Sequence, residues 1–239
     1  MRYLFFDIEC CDGNHMCSFG YVIVDEKFRV IEQKDILINP ETEFKLGRAG
    51  FDPVIQLAYG QDVFYKQKPF KCLYDEIKGL LLCSNQVLLG HSISADIQYL
   101  KIACERYGCQ KLEICVYDTQ NFYYQFNPKY PQRSLDNIVK DLDIDISNIQ
   151  KHKSDNDAQI SMMVTKEICR RLDVSLTELI ELCESSRVDS NTINAQNKLV
   201  YSTDKKESSN IETHCTALEL ALKKAFIKKK PVSNSSLIV

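Results

Sequence analysis

No Cys-x-x-Cys pair occurs in the chain, although it holds eleven cysteines. Cys10, Cys11, Cys17, Cys72, Cys83, Cys104, Cys109, Cys115, Cys169, Cys183 and Cys215 therefore lack the spacing of a structural zinc site. They are expected to be mostly small core residues in a reducing, cytoplasmic setting. Also missing is any apolar run of the ~18 residues that a membrane span requires, so no membrane association is expected. The chain opens on a strand-like run instead of a basic stretch with an apolar core and cleavage site, and no leader is expected. Charge of one sign is lacking too. A formal net charge of −3 over 239 residues gives no overall attraction to a polyanion, which would have to be met by local patches or bound cations. Internal repeats and low-complexity tracts are absent.

What is present is a 44% hydrophobic composition, enough to bury a sizeable core in one large domain, or in one domain plus an appendage. The order of elements predicts a mixed α/β sheet. Strands are expected at Tyr3–Ile8, Ser18–Val24 and Val30–Ile38, too close together for crossover helices and hence antiparallel. Helical spacing of Phe70, Leu73, Ile77, Leu80 and Leu81 is followed by a short strand at Val87–Leu89 and a helix over Ala95–Tyr107. Ile114–Tyr117 returns to the sheet, Ser134 is placed to cap a helix through Leu135, Ile138 and Leu142, and Asp155–Leu172 forms a further helix. Leu176–Cys183 reads as one more short helix, Glu184–Asn210 as a polar linker and Ala217–Ile227 as an amphipathic helix.

Within the first strand, Asp7 and Glu9 end a run of bulky apolar residues. Alternation puts Tyr3, Phe5, Asp7 and Glu9 on one face and Leu4, Phe6 and Ile8 on the other. Two carboxylates on one face of a buried strand need protons, cations or metal to persist. Asp96 follows Gly90-His91 at a strand end, where ligands collect in α/β sheets; as a first-turn acid it also suits the helix dipole. His91 by itself reads as a histidine satisfied in a loop. Asp157 forms a possible capping box with Ser154, which leaves His152, just before the helix, without a structural explanation.

The combination Asp7-x-Glu9, Gly90-His91-x4-Asp96 and His152-x4-Asp157-Ala158 resembles the three exonuclease motifs of the DEDDh family, the group containing the proofreading subunit of bacterial replicative polymerases. The resemblance covers residues 1–172, including Asp118-Thr119 and Ser134-Leu135-Asp136. It implies a ribonuclease H-like fold with a five-stranded mixed sheet, its first three strands antiparallel, and leaves 173–239 as a C-terminal extension. It also implies a metal-dependent 3′→5′ exonuclease acting on single-stranded nucleic acid, DNA favoured over RNA, and releasing 5′-mononucleotides. By the same resemblance Asp7 would bridge two divalent ions, with Glu9 and Asp157 on the first and Asp96 on the second. Oxygen ligands of this kind favour Mg²⁺ or Mn²⁺. His152 would be the general base, and Ile8, Cys10, His91 and Ser92 would meet the terminal nucleotide. Family members commonly have His-Asn at His91-Ser92 and small residues such as Thr-Thr at Cys10-Cys11, departures that bear on substrate preference.

The alternatives are an endonuclease of related fold, a nuclease-like binding or interaction module, and an oligoribonuclease or RNA-processing exonuclease. A polymerase or repair factor is the expected class of protein partner, and oligomeric state is not legible. The aromatic segment Asn121–Tyr130 with Lys129 and Arg133 has base-stacking composition, though Phe122, Tyr123 and Phe126 are better read as core residues under a loop. The same pair of readings applies to Phe51, Tyr59, Phe64 and Tyr65, and the Lys223–Lys230 cluster reads either as strand-guiding or as a soluble helix end.

Overall fold

The computed structural model describes residues 1–46, 56–129 and 132–193. The expected helix at Ala217–Ile227, the lysine cluster, Phe51, Tyr130 and most of the expected linker lie outside those residues.

Three antiparallel strands open the chain: β1 (Arg2–Cys10), β2 (Met16–Val24) and β3 (Val30–Leu37). Tyr3 pairs with Val24 and Asp7 with Gly20 across β1 and β2, and Gly20 pairs in turn with Asp35 of β3. Two short helices follow, α1 (Gln61–Tyr65) and α2 (Phe70–Leu81), then β4 (Gln86–Gly90), α3 (Ser94–Tyr107) and β5 (Cys115–Asp118). Helices α4 (Thr119–Phe126), α5 (Leu135–Asp141), α6 (Ser154–Leu172) and α7 (Leu176–Leu182) precede a last strand, β6 (Arg187–Asp189). The strand order is β3-β2-β1-β4-β5-β6, with β4 parallel to β1 and β5, and β6 antiparallel to β5.

The sheet thus has six strands where five were expected. The sixth comes from Glu184–Asn210, which composition alone reads as linker. Three residues are enough because β5 offers an open edge, and the Ser190 amide and hydroxyl tie the following turn to Ile114 and Leu112.

Alternation along β1 builds two cores. Leu4, Phe6 and Ile8 pack with Phe19, Tyr21 and Ile23 of β2 beneath α2 and α3. Tyr3 and Phe5 pack with Val22, Val24 and Leu89 beneath α4 to α7. Full burial of such side chains stabilises by about 1.5–3 kcal/mol each, which offsets the cost of placing carboxylates at the end of the same strand.

In the aromatic segment, Phe122 and Tyr123 are core residues. Both are buried in α4, and the Tyr123 hydroxyl donates to Asp141 at 2.7 Å. Arg133 is paired with the same carboxylate at 2.9 Å. Of the aromatics that precede α2, Phe64 is buried, Tyr59 half-buried and Tyr65 exposed.

Candidate active site

The β1–β4 ladder stops at the Phe5–Leu89 pair, while β1 continues with β2 to Cys10. Beyond that point the free side of β1 needs a partner, and α3 supplies one. Asp96, in its first turn and buried, accepts the Ile8 N–H at 2.7 Å. No side chain caps α3, so the acid that dipole arguments would assign to the helix is spent on the strand between Asp7 and Glu9.

From the opposite face, α6 delivers Asp157. Its approach depends on Gly20: a Cβ there would stand 1.9 Å from the Asp155 amide nitrogen and 2.0 Å from the Ser154 carbonyl carbon. A glycine inside an apolar strand is the usual sign of such backbone contact, a signal in the sequence that the motif spacings do not include.

The capping box expected at Ser154 is not formed. Lys153 is the N-cap residue, without a side-chain cap. The Ser154 hydroxyl instead meets the Ser18 hydroxyl and the Asp35 carboxylate, the latter at 3.2 Å. Asp157 does reach back, but to His152, whose N–H it accepts at 3.0 Å. The His152 side chain is half exposed, and its Nδ1 lies 3.8 Å from Glu9 Oε1. Ligating atoms of Glu9, His152 and Asp157 all lie within 4.8 Å of one another.

The four acids named from the sequence meet at one end of β1. Burial, then Asp96, Glu9, Asp157 and Asp35, raise the Asp7 carboxyl well above its ordinary range. Burial does the same to Asp96, against the Ile8 and Asp96 backbone amides. Burial and Glu9 raise Asp157 to about 7. Facing Glu9 raises His152. Such a crowd of hard oxygen donors suits divalent cations such as Mg²⁺ or Mn²⁺.

Of the other residues named, Cys10 follows Glu9 and is partly buried, and Ile8 is buried. His91 is turned into the fold: its Nδ1 lies 3.2 Å from Thr119 Oγ1 and its Nε2 lies 3.1 Å from the Arg133 carbonyl. Burial lowers its pKa to about 4, so it is neutral near pH 7. Ser92 has φ +54 and donates its N–H to Asp118 at 2.9 Å. That left-handed conformation is one which asparagine adopts more readily than serine. Asp118 is a buried acid with a structural task, accepting the Ser92, Ile93 and Gln120 amides as it caps α4.

A carboxyl whose folded pKa exceeds its unfolded value binds an extra proton in the native state, so the stability it contributes is full at low pH and lost as pH rises. Asp157 sets that window between its ordinary value near 3.8 and about 7. In chelator, the melting temperature is expected to fall as pH rises through this range, and Mn²⁺ at pH 7 should restore it. A metal-free melting temperature that climbs steadily from pH 4 to 7 would contradict this account. Asp7, Asp96 and Asp35, all raised chiefly by burial, act in the same direction as Asp157, against His91, lowered by burial from 6.5 to about 4, and, at the foot of the window, Glu167, held down to about 2 by Arg170 and Arg171.

Residues 22–168 match the family model described as DNA polymerase III subunit epsilon-like, C-terminal domain, of the DEDDh group. Among solved structures, the chain is similar to the nuclease domain of 3′hExo, a DEDDh family member bound to rAMP. The TM-score is 0.58 at 16% identity, covering 71% of this chain and 90% of that one. It is also similar to the zinc-bound form of E. coli ExoI in complex with single-stranded DNA, with TM-score 0.60, 17% identity and coverage of 77% and 43%. This chain therefore spans less than half the length of that exonuclease. Exonuclease X in complex with 5′ overhanging duplex DNA gives TM-score 0.52, 12% identity and coverage of 76% and 98%. No curated protein sequence matches the chain. These likenesses agree with the ribonuclease H-like fold expected from the sequence.

Proposed function

We propose, from the premise that this chain belongs to the DEDDh family of DNA polymerase III epsilon-like proteins, that it is a metal-dependent 3′→5′ exonuclease acting on single-stranded nucleic acid, DNA before RNA. The observation that carries this reading is the meeting of Glu9, His152 and Asp157 within 4.8 Å, beside Asp7 and an Asp96 that is bonded to the amide between them.

In this reading Asp7, Glu9, Asp96 and Asp157 hold two divalent ions, Mg²⁺ or Mn²⁺. When bound, these ions supply neutralisation of the phosphoryl oxygens and activation of water near neutral pH. The chain's own residues do the rest. With Nδ1 facing Glu9 at 3.8 Å, Nε2 of His152 is the atom left to take the proton of the attacking water. Water oxygen bonds to phosphorus as the bond to the 3′ oxygen breaks, the 3′ oxygen takes a proton from solvent water, and a 5′-mononucleotide leaves. Ile8, Cys10 and Ser92 surround the terminal nucleotide, Cys10 by direct contact, while His91, turned into the fold, supports them by tying the end of β4 to Thr119 and the Arg133 carbonyl.

A cytoplasmic site of action accords with the ten described cysteines, all free. Among the described residues no helix is long and apolar enough to cross a membrane. A polymerase or repair factor is the proposed partner class.

The deciding assay uses free and 3′-blocked DNA and RNA strands, plus a covalently closed circle, with and without Mg²⁺ or Mn²⁺. Mononucleotides are expected only from free 3′ ends with metal present, and cleavage of the circle would make the protein an endonuclease. His152→Ala is expected to lower kcat by about 10²–10⁴ while changing strand affinity little. Unchanged turnover would remove His152 from the base role and spare the acids.

A further inference from the structure

His152 occupies a conformation that costs free energy, with φ +55. A non-glycine residue stays in the left-handed region only where its surroundings over-determine it, and those surroundings are identifiable. Its N–H is held by Asp157 at 3.0 Å, and its carbonyl accepts the Ala58 N–H at 2.9 Å. Ala58 belongs to a strap, residues 57–60, that leads into α1. The strap is itself held: Gln150 Nε2 donates to the Ala58 carbonyl at 3.4 Å, and Asn156 Nδ2 fixes the Gln150 carbonyl at 2.8 Å.

The side chains beside these bonds form one cluster. Lys153 Nζ lies 3.0 Å from Asp155 Oδ1, with its stem largely buried. The Tyr59 hydroxyl lies beside both Lys153 and Asp35, and Asp35 accepts from Ser154 at 3.2 Å. Asp35 and Asp155 repel each other, and burial with that repulsion raises Asp35 to about 6. Lys153 is the cation between them. Tyr59 is seated from the strap's side by an edge contact with Phe64, ring centroids 5.8 Å apart. None of Tyr59, Lys153, Asp35 and Asp155 enters the hydrolytic chemistry proposed above.

We propose that Tyr59 and Lys153 are positioning residues for His152: they fasten the loop from Gln150 to Lys153 onto the 57–60 strap and thereby hold the imidazole beside Glu9 and Asp157. The kinetic half of this inference rests on His152 being the general base; its structural half does not. Without the phenol hydroxyl, Lys153 and Asp35 lose a polar neighbour on the strap. Without the lysine cation, Asp35 faces Asp155 uncompensated, and the first turn of α6 shifts with the residue before it.

The test compares Tyr59→Phe, Lys153→Met and the conservative Lys153→Arg in the full chain. In steady state on a labelled strand, kcat is expected to fall about tenfold in the first two, since small displacements of a reacting group are costly. KM should stay within twofold, and Lys153→Arg should recover most of the loss. In parallel, the chain's four histidines are labelled with ¹⁵N and read by NMR. The His152 ring signals should move in Tyr59→Phe and Lys153→Met while those of His15 and His91 stay in place. Tyr59→Phe removes a single oxygen, so a folded sample is available even if the lysine variant unfolds. Unmoved His152 signals together with unchanged kcat would overturn the proposal. If the unsubstituted chain hydrolyses no strand with either metal, the exonuclease reading fails and the ring signals alone decide: displaced signals support the positioning role, unmoved ones end it.

Discussion

Asp7→Asn is expected to abolish hydrolysis and, in the same sample, to make the metal-free protein harder to melt. The two effects have one cause. Asp7 is held among Asp96, Glu9, Asp157 and Asp35, and burial plus that crowd oppose its ionisation. Asparagine keeps the shape and removes the charge, so repulsion that the strand's packing now offsets disappears. Relief of about 1 kcal/mol moves the melting temperature by about 2–4 °C in a domain of this size. The cost falls on cation binding, since one of the four carboxylates proposed to hold the ions would be neutral. Melting in chelator and then in Mn²⁺ separates the two. The unsubstituted chain should gain strongly from metal, and the variant should start higher and gain little. A variant that melts lower in chelator and still degrades a 3′-labelled strand would sink the assignment.

Gly20→Ala should be as damaging from a position with no polar atom in its side chain. The added methyl would meet backbone atoms of Ser154 and Asp155 at 2.0 and 1.9 Å, and neither side is a flexible side chain that can step aside. Overpacking of this kind costs about 3 kcal/mol or occasionally more. The strand is fixed by its register to β1 and β3, so the helix start has to yield. Asp157 and His152 then move away from Glu9, and a displacement near 1 Å lowers turnover by about 10²-fold. Gly79, in α2 with open space around its Cβ position, is the control. Gly79→Ala should leave turnover intact and stabilise by up to about 1 kcal/mol. Equal activity in the two variants would show that the contact at Gly20 does not position the site.

The parts of the molecule legible in the sequence are those where a local period or a fixed spacing carries the information. Period two along β1 assigned Tyr3 and Phe5 to one core and Leu4, Phe6 and Ile8 to the other. The spacings from His91 to Asp96 and from His152 to Asp157 carried the family resemblance and named acids that converge. Decisions made by distant contacts stayed hidden. Ser154 has every local mark of a helix cap, yet Ser18 and Asp35, more than a hundred residues earlier in the chain, take its hydroxyl. Strand β6 is three residues of unremarkable composition, and only the open edge of β5 makes it a strand. Helix α4 was hidden for another reason: its Asn-Phe-Tyr-Tyr run reads as core under a loop, and the Asp118 cap, which makes that core segment a helix, is a single residue with no period of its own. Tyr59 gave no sign of its place beside Lys153, because nothing in a sequence pairs a loop tyrosine with a lysine nearly a hundred positions later.

The acids reach β1 from opposite faces of the sheet, Asp96 on α3 and Asp157 on α6, and this sets an order of events during synthesis. A growing chain acquires Asp7, Glu9 and Asp96 early and can close the first core around β1, β2 and β4. It has neither His152 nor Asp157 until α6 has emerged and found Gly20. On the proposed function, hydrolytic capacity arrives last and all at once, when the second layer docks. A nascent or truncated chain that still binds nucleic acid has no means of cutting it.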